Sequence, residues 1–305
     1  MSAIQKRLQN MEIRFDESEV IVVDVGTGYI KAGYSGEDLP RVVLPTIIGM
    51  HESSSVDDAT TNAGDSKPNK VVSKKMGNEA YLHQSDHELY NPIQRGIVTD
   101  WEKLTDLLEH VFYTELGIEP RNATVLMTDS PMSRKSDKQQ LASIMFDHFR
   151  FKAFALQNTA ALSLFSNGTT TGLVAESGEG VTYTVPVFEG YALPHALQTI
   201  EVAGQDITKQ LIKELQTDTQ VDMSHYHLIR DIKEKMCHVA RTNYAAEMER
   251  RDDELSIEDR SYELPGGEII EVNQRKRITA AECMFNPSIV GVSHPEFDTC
   301  DGGIV

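Results

Sequence analysis

The chain has 305 residues, room for one large α/β domain or two ordinary ones, since single cores rarely grow past about 250 residues. Its 40% hydrophobic, 25% charged and 7% aromatic composition excludes bulk disorder. With 29 Lys and Arg against 47 Asp and Glu the net charge is −18, a long-range repulsion toward phosphate backbones and anionic lipid that argues against nucleic acid and membrane as direct partners.

Residues 1–19 read as an N-terminal tail without a continuous apolar run of signal-peptide length. Met1, Ile4, Leu8 and Met11 share one helical stripe, which suits a frayed tail or a partner-binding helix. Val20-Ile21-Val22-Val23-Asp24-Val25 is a β-branched run expected of a strand buried on both faces, and Gly26-Thr27-Gly28 then demands a tight turn. Tyr29 to Ser35 and Arg41 to Pro45 continue as further strands. Residues 51–77 are dominated by Ser, Asp, Thr, Asn, Gly and Lys and read as an exposed, mobile loop. Thr99-Asp100 caps a helix whose Trp101, Leu104, Leu107, Leu108, Val111, Phe112 and Leu116 share one face, closed by Gly117. A strand over 122–128, a helix over 134–149 and a strand over 151–156 then alternate as a βαβ layer would. No segment approaches the roughly 20 apolar residues of a membrane helix.

The second half repeats the opening pattern. Thr171-Gly172-Leu173-Val174-Ala175-Glu176 is an apolar strand ending in an acid, followed by Ser177-Gly178-Glu179-Gly180 and a strand to Phe188. Strand, acid, glycine turn and strand thus occur twice, which suggests two similar domains, each contributing one glycine turn to a cleft. Such turns expose successive backbone N–H groups as a nest for phosphate oxygens; Lys31 is close enough to add a charge, and Asp24 is suited to hold a hydrated Mg²⁺. Neither turn is a GxxxxGK[ST] loop or a GxGxxG, and an ordinary glycine hairpin remains the alternative for each taken alone.

Longer stretches carry a family resemblance. Asp24-Val25-Gly26-Thr27-Gly28 with Lys31-Ala32-Gly33-Tyr34, the run Asn91-Pro92-Ile93-Gln94-Arg95-Gly96-Ile97-Val98-Thr99-Asp100-Trp101, the run Gly178 to Ala196, and Asp231-Ile232-Lys233-Glu234-Lys235-Met236-Cys237 resemble actin and the actin-related proteins, from about residue 20 to about residue 292. The resemblance implies an α/β, actin-like ATPase fold: two similar α/β domains around a nucleotide cleft. The first, small domain would span 20–166 with the polar insertion 51–77; the second, large domain would span 167–305 and be incomplete, because similarity fades after Val292 and the family's C-terminal part is missing. By the same resemblance Gly26, Thr27, Gly28 and Lys31 would hold phosphates from one domain and Gly178, Glu179, Gly180 and Val181 from the other. Gly204, Arg230, Lys233 and Glu234 would flank the adenosine. The implied cofactor is ATP or ADP with Mg²⁺, held through water by Asp24, and the bound nucleotide would act as a clasp.

Three positions depart from the pattern together. A family aspartate is Glu176, a family glutamine that orients the attacking water aligns with Thr159, and a family histidine is Tyr183. Thr is shorter than Gln, and a phenol, ordinarily titrating at about pH 10, is a poor proton relay at neutral pH. Positioning carries most of phosphoryl-transfer catalysis, so hydrolysis is expected to be weak or absent, with a slow ATPase as the alternative. The polar 51–77 segment also lacks the apolar tip that actins insert into the next subunit, and the plug region reads Pro287 to Val292 followed by Ser293-His294-Pro295-Glu296.

The resulting expectation is an ATP-binding, actin-related cytoskeletal protein that serves as a structural subunit of a larger assembly. Its expected partners are actin, actin-related complex subunits or actin-binding proteins, in the cytoplasm and cytoskeleton, with the nucleus also open. A conventional filament-forming ATPase and a small-molecule kinase of the same superfamily are the alternatives. Cys237, Cys283 and Cys300 form no CxxC pair, which fits a reducing compartment; without secretion, the sequons at Asn122 and Asn167 carry no meaning. His225-Tyr226-His227 reads as a surface pair of histidines rather than a zinc site, and 247–263 as a solvated helix and loop or a docking face.

Overall fold

The computed structural model describes residues 20–54, 70–241, 243–250, 260–264, 267 and 269–292. The tail stripe, the tip of the polar insertion, Cys300 and the segment from Ser293 onward lie outside them. The described chain divides into two compact units: one runs to Gly172 and includes Val187–Pro194, and the other comprises Leu173–Pro186 and the residues from His195 onward.

The first unit is built on a five-stranded sheet. Strands β1 (Val20–Val25), β2 (Tyr29–Tyr34) and β3 (Val42–Pro45) form an antiparallel meander. The meander is extended by the hairpin β4 (Ile48–Ser54) and β5 (Lys70–Met76), the short helix α1 (Asn78–Leu82), β6 (Glu88–Tyr90) and the two-residue strands β7 (Ile93–Gln94) and β8 (Ile97–Val98). Helix α2 (Trp101–Glu109) leads to β9 (Thr124–Asp129), α3 (Lys135–Ser143), β10 (Ala153–Asn158) and α4 (Thr159–Ser166). Strands β10, β9 and β1 are parallel neighbours, so the sheet order is β10-β9-β1-β2-β3. Ile21, Val23, Ile30, Val125 and Met127 from the sheet pack with Leu104, Leu107, Leu108, Val111 and Phe112. Phe112 meets Phe149 and Phe151 edge-on, with centroids 5.0 and 5.1 Å apart.

Both expected long helices close with a wider turn. After Glu109 the chain winds as a π-helix over His110–Glu115, and after Ser143 over Ile144–His148; in each the following amide reaches five residues back, Leu116 N to Val111 O at 2.9 Å and Phe149 N to Ile144 O at 3.0 Å. The 51–77 loop is corrected in its flanks. β4 and β5 pair antiparallel from Ile48↔Met76 to Ser54↔Lys70, leaving 55–69 between the strands. A ladder of backbone hydrogen bonds holds them although His51, Glu52, Val72 and Lys74 are exposed, so no apolar alternation marks them in the sequence.

The second unit holds β11 (Gly172–Ser177), β12 (Thr182–Phe188) and β14 (Gln198–Ile200), while β13 (Tyr191–Ala192) pairs the far end of β12, within the first unit. Helices α5 (Gly204–Leu215), α6 (Tyr226–Met236), α7 (Tyr244–Met248) and α8 (Gln274–Glu282) accompany the hairpin β15 (Arg260–Glu263) and β16 (Ile269–Val272). Leu211, Ile212, Leu215, Ile229, Ile232, Ile270 and Val272 form its core. Of the 247–263 segment, 251–259 lie outside the described residues; the helix is present and Arg260, Ser261 and Glu263 are exposed as expected, but Glu247 is buried and paired with Arg250 at 3.1 Å and 260–263 is a paired strand.

Asp100 caps α2 as expected, accepting from the Lys103 amide at 3.0 Å and from Lys103 Nζ at 2.6 Å. Its side-chain bond to Lys103 holds the carboxyl below the usual range. A depressed carboxyl stabilises the fold fully above its unfolded value, near pH 4, and loses that contribution as pH falls through the native value. Denaturant unfolding should show Asp100→Ala less stable by about 1 kcal/mol at pH 7. Asp100→Asn, which keeps the cap acceptor, should lose less, and its deficit should shrink below about pH 4.

Candidate functional site

In the first unit the candidate residues gather at the carboxyl ends of the three parallel strands. Asp24 is near the end of β1, Thr128 and Asp129 end β9, and Asn158 ends β10 beside Thr159, the first residue of α4. The carboxyl edge of parallel strands is where α/β sheets bind ligands. Strands lie about 4.8 Å apart, so β1 and β10 on either side of β9 put Asp24 and Thr159 about 10 Å apart along that edge. Asn158 caps α4 by accepting from the Ala160 amide at 3.1 Å.

Asp24 and Lys31 are direct cross-strand neighbours in β1 and β2, with Oδ2 and Nζ 4.0 Å apart. Thr128, which sequence reasoning missed, donates its hydroxyl to Asp24 Oδ1 at 2.7 Å and accepts from the Val25 amide at 3.3 Å. Beside it Asp129 is buried against Lys138 Nζ. A cavity of about 70 Å³ lined by Val25, Trp101, Met127, Thr128 and Lys138 is far smaller than the roughly 300 Å³ of a small-molecule pocket, so a nucleotide does not fit inside it.

The turn between β1 and β2 is locked by its carbonyls. Gly26 N donates to Tyr29 O at 3.0 Å, closing the turn. The Gly26 carbonyl accepts from Thr46 Oγ1 at 2.8 Å, the Thr27 carbonyl from Asn91 Nδ2 at 2.8 Å, and the Gly28 carbonyl from Thr46 N at 3.1 Å. The Gly96 amide donates to Thr27 Oγ1 at 3.0 Å. With every carbonyl turned into the protein, the Thr27 and Gly28 amides have no acceptor among the described residues. Two adjacent turn amides without acceptors are donors of the kind that anion-binding concavities use.

The second turn is built the same way from different parts. Gly178 N donates to Val181 O at 3.1 Å. The carbonyls of Gly178 and Glu179 accept from the amides of Gly204 and Gln205 at 2.9 and 2.8 Å, at the N-terminus of α5, and the Gly180 carbonyl faces Gln205 Nε2 at 3.5 Å. The Glu179 amide has no acceptor among the described residues. Glu176 and Tyr183 stand to this turn as Asp24 and Lys31 stand to the first. Here the acid's partner is a phenol: Tyr183 donates to Glu176 Oε2.

Glu179 organises the remaining second-unit candidates. Its Oε1 accepts from Tyr226 Oη at 2.6 Å and its Oε2 lies 3.5 Å from Lys233 Nζ, with both charged side chains largely buried. Lys233 also donates to the Gly204 carbonyl at 3.3 Å and lies 3.9 Å from Glu234, which is half exposed. Arg230, one helical turn before Glu234, is buried. Burial, then the Glu179 carboxylate, pushes the Tyr226 phenol far above its ordinary value, so it stays a hydrogen-bond donor. Between the two histidines read as a surface pair, Tyr226 joins the candidate site, and among the described residues no cluster of His, Cys, Asp or Glu suits a metal. Cys237 and Cys283 are free thiols that burial pushes up to about 11 and about 12, too high for nucleophilic roles at neutral pH.

A comparison with known protein families matches the family described as actin over residues 15–229 and 222–299. The chain belongs to the actin family. The mixed sheets with flanking helices agree with the α/β fold of that family. Actin-family proteins generally bind nucleotide with a divalent metal. Taken separately, the first turn offers amides without acceptors beside Lys31 and the second offers the amide of Glu179, donors of the kind that suit phosphate oxygens. Thr46, Thr128, Asn91 and Tyr226 complete the actin-family turns, although no spacing in the sequence singled them out.

Gly204 is a tight point. A Cβ there would lie 2.8 Å from Glu179 Oε2 and 3.2 Å from the Gly178 carbonyl. Gly204→Ala should therefore displace Glu179 and cost about 1–2 kcal/mol in denaturant unfolding. Shortening the neighbour, as Glu179→Asp in the same chain, should recover part of that loss.

Proposed function

We propose that this actin-family chain binds ATP with Mg²⁺ through its glycine turns and works as a structural, cytoskeletal subunit of a larger protein assembly, with weak or absent hydrolysis and self-polymerisation. The observation that carries the reading is the contrast between intact turns and altered chemistry beside them. Thr27, Gly28 and Glu179 offer amides to phosphate oxygens, and Lys31 adds a cation. Asp24, oriented by Thr128, would hold the hydrated metal ion, which supplies charge neutralisation when bound.

The groups that would activate water are differently engaged. Tyr183 is buried and donates its hydroxyl proton to Glu176, and a phenol does not do a histidine's work as a proton relay at neutral pH. Thr159 opens helix α4 with a side chain too short to do the work of a glutamine amide. Arg230, Lys233 and Glu234, on one stretch of α6 beside Gly204, are the residues we assign to the nucleoside. The proposed partners are actin, actin-related subunits or actin-binding proteins in the cytoplasm.

The test is nucleotide binding and phosphate release on one sample of the full chain, with a pelleting assay in ATP and salt. We expect tight binding of a fluorescent ATP analogue, little phosphate release and no pellet. The double variant Thr159→Gln with Tyr183→His should raise release by at least about tenfold while leaving binding within a few-fold. Filaments that turn over ATP in the unmodified chain would overturn the subunit reading in favour of a conventional filament-forming ATPase.

A further inference from the structure

The middle residue of each glycine turn carries a side chain, and each side chain is tied down. In the first turn Thr27 is buried and its hydroxyl accepts from the Gly96 amide at 3.0 Å. In the second the same place, between two glycines, is taken by Glu179, an acid whose own amide has no acceptor among the described residues. A carboxylate on the residue that offers the amide is a charge of the wrong sign. Turned toward the amide, it would repel any anion seated there.

The structure seats that carboxylate on the opposite side. A trans peptide points its N–H away from its C=O, and the Gly178 carbonyl points at the Gly204 amide, 2.9 Å away, so the Glu179 N–H points away from Gly204. The carboxylate lies on the Gly204 side: a Cβ at position 204 would stand 2.8 Å from Glu179 Oε2. Two residues of α6 hold it there. Tyr226, the first residue of the helix, donates its hydroxyl to Oε1 at 2.6 Å, and Lys233 Nζ lies 3.5 Å from Oε2. The lysine is shared, since it also donates to the Gly204 carbonyl at 3.3 Å and lies 3.9 Å from Glu234. Tyr226 makes the shorter contact, and burial together with Glu179 keeps its phenol protonated. Lys233 thus offsets the charge, while Tyr226 fixes its place.

We propose that Tyr226 is a positioning residue for the second glycine turn: its hydroxyl tethers the Glu179 carboxylate beside Gly204, away from the side on which the Glu179 amide receives a phosphate group. The inference rests on the nucleotide-binding reading and deepens it. Tyr226 touches no ligand and acts through Glu179 alone.

The experiment is a double-mutant cycle on the full chain, with Tyr226→Phe, Glu179→Gln and the two together. Affinity for an etheno-ATP analogue with Mg²⁺ is measured at low and moderate salt, well below the nucleotide-free melting temperature of each variant. Tyr226→Phe keeps the ring and removes the tether. It should weaken binding by about tenfold at low salt and by less at moderate salt, where the released charge is screened. In the Glu179→Gln background the same change should cost less than about twofold, because a released amide side chain repels no anion. An equal loss in both backgrounds, or a loss indifferent to salt, would overturn the proposal by marking Tyr226 as a packing residue. Binding by Tyr226→Phe within twofold of the unmodified chain would also overturn it, while leaving nucleotide binding intact. No binding by the unmodified chain would instead remove the nucleotide reading itself, and this proposal with it.

Discussion

The constraint on which the site depends is the capture of turn carbonyls. A glycine turn between two strands has carbonyls and amides in nearly equal number, and isolated turns leave both to water. In this chain Thr46 and Asn91 take the carbonyls of Gly26, Thr27 and Gly28, while Gly204 and Gln205 take those of Gly178 and Glu179. The captures at Gly26, Thr27 and Gly178 fix the peptide planes that carry the Thr27, Gly28 and Glu179 amides, which have no acceptor among the described residues. On the proposed reading an anion would meet donors already held in place, with little ordering left to do on binding.

The two turns reach this result with different supporting parts, which separates what is shared from what has diverged. The first unit uses a threonine and an asparagine side chain; the second uses the start of helix α5, where orphan amides are available without any side chain. The acid at the strand end follows the same division. Asp24 faces a lysine, so it is part of a near-neutral pair that still accepts from Thr128. Glu176 accepts from a buried phenol, which holds the carboxylate without neutralising it. The acid at the first turn is thus held by a cation and a hydroxyl, and the acid at the second by a phenol.

Much of this was legible in the sequence where local pattern and tertiary role coincide. The β-branched run 20–25, the Asp100 cap with its apolar helix face, and the repeated strand, acid and glycine turn all appear in the structure at or near their expected bounds. The hairpin of β4 and β5 was not legible, because only its end at Ile48, Met50 and Met76 packs on the core while His51, Glu52, Val72 and Lys74 are exposed, which leaves no alternation to read. Thr46, Asn91, Thr128 and Tyr226 were missed because each acts on a residue far away in sequence, where only register brings the two together. For Thr128 that register is explicit: β9 runs parallel to β1 with Val23 opposite Met127, which sets the next residue beside Asp24. Tyr226 lies between two histidines read as a surface pair, so nothing in the local pattern pointed to a buried contact with Glu179.

Hydrogen exchange on the full chain with and without MgATP tests the central claim most directly, because it reads the amides themselves. The account predicts slowed exchange on nucleotide addition in peptides spanning 25–30 and 177–182, where the Thr27, Gly28 and Glu179 amides gain an acceptor. Unchanged exchange in both segments, in the presence of nucleotide that demonstrably binds, would contradict it.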